Sequence, residues 1–328
     1  MKTLRLILLT LIGLMLTVGS VQAKNKFKIA TVAPDGTPWA VLLNKYKRKI
    51  SKKSNKELYP RVYLNGVKGD EQSIVRQIYK GSLQMGGVST GALAVIVPDI
   101  ELLELPYAFK TAQIADRVLE EVRPLVNQLL VEKGLILIMY SENGYRSMGT
   151  KDKCIKSPKD LTAMKMRSQE SEVHLATYRA LGASPASISV GEVLSSLQTG
   201  VVTGFDNTPL FAQAVGWSQA VKYFSTTRHI YQPALIIANK EWFDGLSPEF
   251  QKLIVEEGKK LEKKGREMVR ALEPALMENF RASGIEVCEL TDAERAEFKK
   301  ATASVWDERG AKATPTGKKL IEAIKKAQ

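Results

Sequence analysis

Residues 160–207 read DLTAMKMRSQESEVHLATYRALGASPASISVGEVLSSLQTGVVTGFDN. The hydrophobic period changes several times along this stretch. MKMRS is short and strand-like with Arg167 at its end, one residue before Ser168, SEVHLATYRALG has helical spacing, and ASISV is again strand-like. A second helix closes at QTG and gives way to VVTGFDN. An arginine and the pair Asp206–Asn207 therefore stand where strands stop, and in open α/β sheets ligands bind outside those carboxyl ends. A guanidinium offers a planar fork that matches a carboxylate. The stretch predicts a small-molecule cleft with Arg167 as its anion anchor.

Outward from this stretch the same alternation continues. KFKIATV, RVYLNGV and LQMGGVS read as strands, with helices after the first two at Trp39–Ser54 and EQSIVRQIYKG. GLILIMYSE is an apolar run of the kind a buried parallel strand carries. Arg146 follows it, and KYFSTTRHIYQPALIIANKEWF contains a strand that returns toward the first sheet. Repeated strand–helix alternation indicates an α/β fold with helices on both faces of each sheet. Ser247–Pro248 starts a helical pattern that runs to Gly284, about 36 residues and ~54 Å, longer than one domain needs. Pro274 should kink it, and Gly258 and Gly265 should soften it. Such a helix suits an element bridging two lobes. The predicted organisation is a two-lobed clamp, with 24–145 plus 233–272 in the first lobe and 146–232 plus 273–328 in the second.

The first 23 residues, MKTLRLILLTLIGLMLTVGSVQA, combine a basic start, an apolar middle and a small-residue exit. That is the pattern of an export signal cleaved near Ala23 and predicts a periplasmic protein. The 328-residue chain has a formal net charge of +13, compatible with a field that favours anions. Its lysines lie along amphipathic helices interleaved with glutamates, without the aromatic–basic ribbon of a nucleic-acid binder. Only Cys154 and Cys288 are present, and in an oxidising compartment they can be bridged or remain two buried thiols. No motif for a cofactor or a resident metal is found.

Two arginines near strand ends, the QTG turn and the export signal lead to a family. The ordered set ATVAPDGTPW, NGVKGDE, ELLELPYAF, NGYRSMGT, SPKDLTAMKMR, LGASPASIS and EVLSSLQTGVVTG resembles the substrate-binding proteins of tripartite ATP-independent periplasmic (TRAP) transporters, DctP type. The resemblance spans the whole mature chain. It implies two α/β lobes that close on an organic anion, a long helix across both, and delivery to small and large membrane permease subunits. It also implies a carboxylate paired with Arg167, a second cleft arginine at Arg146, and an asparagine at Asn207 beside Asp206. Trp39 and Ser89 are expected in first-lobe loops that close over the ligand, and Phe205 in a cleft wall. The chain departs from the family pattern at Ala163 and Gln169, and Ser89 replaces a glutamate that some sialic-acid-binding members use.

Two other functions are compatible with parts of the sequence. Gly87-Val88-Ser89-Thr90-Gly91 matches the G-x-S-x-G nucleophile elbow of α/β-hydrolases, and Asp206 and His229 follow in the Ser-Asp-His order those enzymes use, which would make this a secreted serine hydrolase. The apolar run VSTGALAVIVP lacks the amphipathic helix that an elbow requires, so a non-enzymatic binding protein is favoured. A ligand-sensing module with a partner other than a transporter would have the same cleft.

Overall fold

Two long antiparallel strands carry the chain between its halves. The computed structural model describes residues 25–327, so the expected export signal lies outside the described residues. The strands are β1 (Asn25–Ala30), β2 (Leu58–Tyr63), β3 (Met85–Ser89), β4 (Leu135–Thr150), β5 (Lys165–Ser168), β6 (Ser184–Ser187), β7 (Gly204–Asn207), β8 (Tyr223–Asn239) and β9 (Glu286–Cys288). Their order is β2-β1-β3-β8-β4-β7-β5-β6, with β9 pairing to β8. One continuous sheet results, with β1, β2 and β3 on the β8 side in the first lobe, β5, β6 and β7 on the β4 side in the second, and β9 beside the start of β8.

The apolar run at the start of β4 was read as a parallel strand, but it pairs antiparallel with β8, Leu135 opposite Asn239. Its apolarity has another cause. Leu135, Leu137 and Tyr140 face one core, while Ile138 and Met139 face another beneath the helix Pro248–Arg270. Burial on both faces produces a continuous apolar run whatever the strand direction. The β4–β8 register shifts between Leu137 and Met139, Glu142 and Gly144, and Arg146 and Met148. Bulges bend a strand and increase its twist, and here they re-aim the ribbon where it passes between lobes. Gly144, at φ +99°, takes a conformation that a side chain would strain.

The long helical region divides into Pro248–Arg270 and Glu273–Ala282. The bend lies at Ala271–Leu272, just before Pro274, which sits in the first turn of the second segment where its missing N–H is no loss. Gly258 and Gly265 have a different role from the softening expected of them. A Cβ at Gly258 would lie 2.9 Å from the Ile138 carbonyl oxygen, and one at Gly265 would lie 3.0 Å from Leu42. These glycines let the helix approach β4 and the helix Pro38–Lys53 closely. Arg270, at the end of the first segment, pairs with Asp116 at 2.8 Å and with Glu142 at 2.6 Å, which anchors the helix to the first lobe and to β4.

The sequence division placed 273–328 in the second lobe, but the helix Pro315–Ala327 inserts Leu320, Ile321 and Ile324 into a core that also contains Ile100, Val118 and Val126. Cys154 and Cys288 form a disulfide with a Cα–Cα distance of 5.9 Å, tying the segment after β4 to β9. It closes a loop of 134 residues, a constraint worth up to about 5 kcal/mol through the unfolded state. Replacing both cysteines by alanine should lower the urea midpoint by an amount equivalent to roughly 2–5 kcal/mol and abolish the protein's sensitivity to reductant. An unchanged midpoint would show that the bridge contributes nothing.

Candidate functional site

Arg167 points from the end of β5 into the space between the lobes. It is 1% exposed, its Nε donates to the Ile188 carbonyl at 2.9 Å, and its guanidinium lies 5.0 Å over the Trp217 ring. Phe205 and Phe211 brace Trp217 edge-on, at 5.3 and 5.7 Å between centroids. Among the described residues no carboxylate lies within 4.0 Å of Arg167, and its two Nη atoms have no protein hydrogen bond. Burial, followed by the like charge of Arg146, depresses its pKa to about 10. A depression of that size corresponds to roughly 3 kcal/mol of unfavourable charge burial.

Arg146, on β4, is equally buried but fully engaged. Its Nε donates to Asp206 Oδ2 at 2.5 Å and its Nη2 to the Asp206 carbonyl at 2.6 Å. Its Nη1 reaches Gln232 Oε1 at 3.0 Å, Gln169 Oε1 at 3.3 Å and Asn207 Oδ1 at 3.4 Å. Asp206 also accepts from Tyr178 Oη at 3.1 Å and has His229 Nε2 at 3.5 Å. Burial opposes ionisation of Asp206, yet the Arg146 charge and the His229 hydrogen bond hold its carboxyl well below the usual range. The two cleft arginines thus differ: Arg146 has a counter-ion in Asp206, and among the described residues Arg167 has none within 4.0 Å.

The first lobe supplies the facing wall. Trp39, in the first turn of Pro38–Lys53, donates Nε1 to the Glu142 carbonyl at 3.2 Å and lies so close to β3 that a Cβ at Gly87 would stand 2.6 Å from its ring. Glu71 accepts from Ser89 N at 2.8 Å and from Ser89 Oγ at 3.0 Å. Desolvation raises the Glu71 pKa by more than these hydrogen bonds lower it, and among the described residues no cation lies within 4.0 Å of it. Gln169 crosses the cleft, donating Nε2 to Ser89 Oγ at 2.8 Å while its Oε1 accepts from Gln232 Nε2 at 2.8 Å. Gln72 Nε2 crosses to the Glu170 carbonyl at 3.0 Å, and His174 Nε2 lies 2.5 Å from Glu104 Oε2. Side chains of both lobes therefore meet over the cavity.

Of the residues expected here, Arg167, Arg146, Asn207, Ser89 and Trp39 line one cavity. Asp206 and Phe205 do not line it. Asp206 lies behind Arg146 as its counter-ion, and Phe205 is fully buried against Trp217, supporting the Arg167 platform from below. Sequence reading missed Gln169, Glu71, Gln232 and Asn143. Gln169 carried a signal, because residues two apart on an extended segment share a face and it follows Arg167 at that spacing. Glu71 opens the helix Glu71–Tyr79 next to its cap, Asp70, but nothing local shows that it faces Ser89. Gln232 and Asn143 carried none. The elements of a serine hydrolase are not assembled: Ser89 Oγ bonds with Glu71 and Gln169, while His229 bonds with Thr227 and Asp206.

These differences give opposite mutational outcomes. Arg146→Ala leaves Asp206 buried and unpaired and should cost about 3–5 kcal/mol, read as a lower melting temperature without ligand. Arg167→Met removes an unpaired buried charge and should leave the unliganded melting temperature unchanged or higher. Equal destabilisation by both would refute the assignment.

Residues 29–313 match the family model described as bacterial extracellular solute-binding protein, family 7. The chain is 26% identical over 289 residues to the 2,3-diketo-L-gulonate-binding periplasmic protein YiaO of Escherichia coli, covering 88% of each. It is 28% identical to the C4-dicarboxylate-binding periplasmic protein DctP of Rhodobacter capsulatus, covering 97% of this chain and 95% of the relative. A TRAP periplasmic solute-binding protein of Roseobacter denitrificans, solved with bound β-D-glucuronate, superposes with a TM-score of 0.87 at 26% identity, covering 92% of this chain and 99% of that one.

Proposed function

The chain belongs to bacterial extracellular solute-binding protein family 7, and from that membership and the cleft we propose that it captures a small carboxylate for a TRAP-type transporter. The observation that carries this reading is Arg167, a buried guanidinium lacking a protein counter-ion in a cavity lined by both lobes. A substrate carboxylate accepting from its two Nη atoms supplies the missing charge. The Trp217 face and the Ile188 carbonyl hold the guanidinium plane, so little freedom is lost on pairing. Asn207 Oδ1 is occupied by Thr208 N at 2.8 Å and by Arg146, which leaves its Nδ2 to donate to the ligand. Arg146 acts mainly by positioning Asn207, Gln169 and Gln232, and Trp39 and Ser89 close the cavity from the first lobe.

Glu71 refines the substrate class. It is a carboxylate without a cation on the same cavity, so it favours a ligand that presents a hydroxyl donor opposite its carboxylate and disfavours a second carboxylate. This supports hydroxylated monocarboxylates of the sugar-acid kind over dicarboxylates. The diketogulonate-binding relative and the glucuronate-bound structure are in keeping with that choice.

Arg167 is 1% exposed when the lobes are together, so the ligand enters an open form and the lobes close over it by bending at β4, β8 and the Ala271–Leu272 break. The closed protein then carries its ligand, without chemical change, to the small and large permease subunits. Among the described residues no helix is long and apolar enough to cross a membrane. The export signal at 1–23 places the protein in the periplasm in this reading. A sensing role would use the same cleft, and nothing in the fold favours it.

Titration calorimetry with D-glucuronate, D-galacturonate and succinate tests the class. A sugar acid should bind with at least about tenfold higher affinity than succinate, and Arg167→Met should abolish binding. Tight binding of succinate alone, or unchanged binding by Arg167→Met, would overturn the reading. Glu71→Gln should weaken the hydroxy acid and improve succinate. Because burial raises the Glu71 pKa, folded protein holds that proton more tightly than unfolded chain, and the wild-type protein loses stability as pH rises through the raised value. The variant should lack that loss, seen as a melting temperature that gains on the wild type as the pH rises above the ordinary carboxylate range.

A further inference from the structure

We propose that the outer edge of the first lobe is a docking surface for a bilayer bearing anionic phospholipid headgroups. The basic excess is concentrated there. Residues 25–69 hold 11 Lys and Arg against only Asp35 and Glu57, a net +9 within a chain whose total is +13. This segregation departs from the interleaved surface expected from the sequence, a pattern that does hold on the long helix, where Lys252 and Lys260 pair with Glu256.

The fold turns these charges to one side. On the helix Pro38–Lys53, Lys49 and Lys53 face the long helix and share Glu257, at 3.2 and 2.6 Å. Lys47, Arg48, Lys52 and Lys56 instead line a shallow groove with Tyr59, and among the described residues none has a carboxylate within 4.0 Å. The patch extends onto β1 and β2, where Lys28 stands opposite Arg61 and Lys26 opposite Tyr59, all four exposed. β2 is the edge of the sheet.

Arg61 and Pro60 on the edge strand also discourage edge-to-edge aggregation, but that purpose does not need Lys47, Arg48 and Lys52 unpaired on the neighbouring helix and Lys56 just beyond it. Like charges held together without counter-ions repel one another, and a planar anionic surface relieves that repulsion. Each lysine near such a surface contributes on the order of a fivefold gain in affinity, and the effect fades beyond a Debye length. Tyr59, 39% exposed in the middle of the patch, is an aromatic suited to the headgroup layer. A protein held at the membrane searches for its permease in two dimensions. The inference relies on the proposed export only for access to that membrane.

Co-sedimentation of the exported form with phosphatidylcholine vesicles, with and without phosphatidylglycerol, tests it in the absence of any solute, so the result is independent of the cleft assignment. Binding is expected only with phosphatidylglycerol and should be lost in high salt. The quadruple variant Lys47→Glu, Arg48→Glu, Lys52→Glu, Lys56→Glu should lose at least about tenfold in affinity. The matched variant Lys299→Glu, Lys300→Glu, Lys318→Glu, Lys319→Glu makes the same change in net charge on exposed C-terminal helices and should retain most of the binding. Absence of binding by the wild type, or equal losses in the two variants, would overturn the proposal. So would a patch variant that binds vesicles normally but fails only with permease-containing membranes, which would assign the surface to a protein partner. Circular dichroism melts establish that both variants are folded.

Discussion

A buried charge must be matched, and the cleft depends on how that requirement is met for one arginine and left unmet for another. Arg146 and Asp206 pair at 2.5 Å where β4 meets β7, in the register that places Met148 opposite Asp206. Tyr178, His229 and His174 surround the same carboxylate, so Asp206 has no capacity to spare for Arg167. The consequence is a guanidinium held rigid by an aromatic face and a backbone carbonyl, with its outer nitrogens toward the cavity. Replacing an ion pair of this kind by apolar residues often stabilises a fold. Its retention fits a cleft whose electrostatics serve a ligand.

The same network joins ligand recognition to lobe geometry. Arg146 contacts Gln169, Gln232 and Asn207, and Gln169 in turn reaches Ser89 on the facing lobe. β4 and β8 therefore run through both lobes and line part of the cavity, with register shifts at that level. The long helix, set close by Gly258 and Gly265, is fixed to β4 through Arg270 and Glu142 and breaks two residues further on. On the proposed reading, a ligand that satisfies Arg167 and the closing hydrogen bonds together shifts the equilibrium toward the closed form by its differential affinity for the two states.

Much of this was legible in the sequence for local reasons. Arg167 followed a short alternating segment, Pro248 followed a capping serine, and the apolar run before Glu142 marked a buried strand. Errors arose where the deciding partner lay far along the chain. Asp206 was expected in the cleft because it adjoins Asn207, although consecutive residues of a strand point to opposite faces, and Phe205, expected in a cleft wall, is instead claimed by Trp217. Glu71 was missed because its partner, Ser89, lies 18 residues away on another element. Gln169 was noted only as a departure from a pattern, and its bonds to three other elements are non-local.

The sequence by itself determined the alternation of strands and helices, the position of an arginine at a strand end, the family likeness and the overall charge. Those properties follow from periodicity, capping and composition, which act within a few residues. Only the tertiary structure decided that β4 and β8 run antiparallel through both lobes, that Cys154 meets Cys288, and that Arg146 rather than Arg167 takes the Asp206 charge. Each of these is a choice among partners 60 or more residues apart, or along two long strands. It is settled by burial, which makes an unmatched charge or an unpaired backbone group too costly in every arrangement but one.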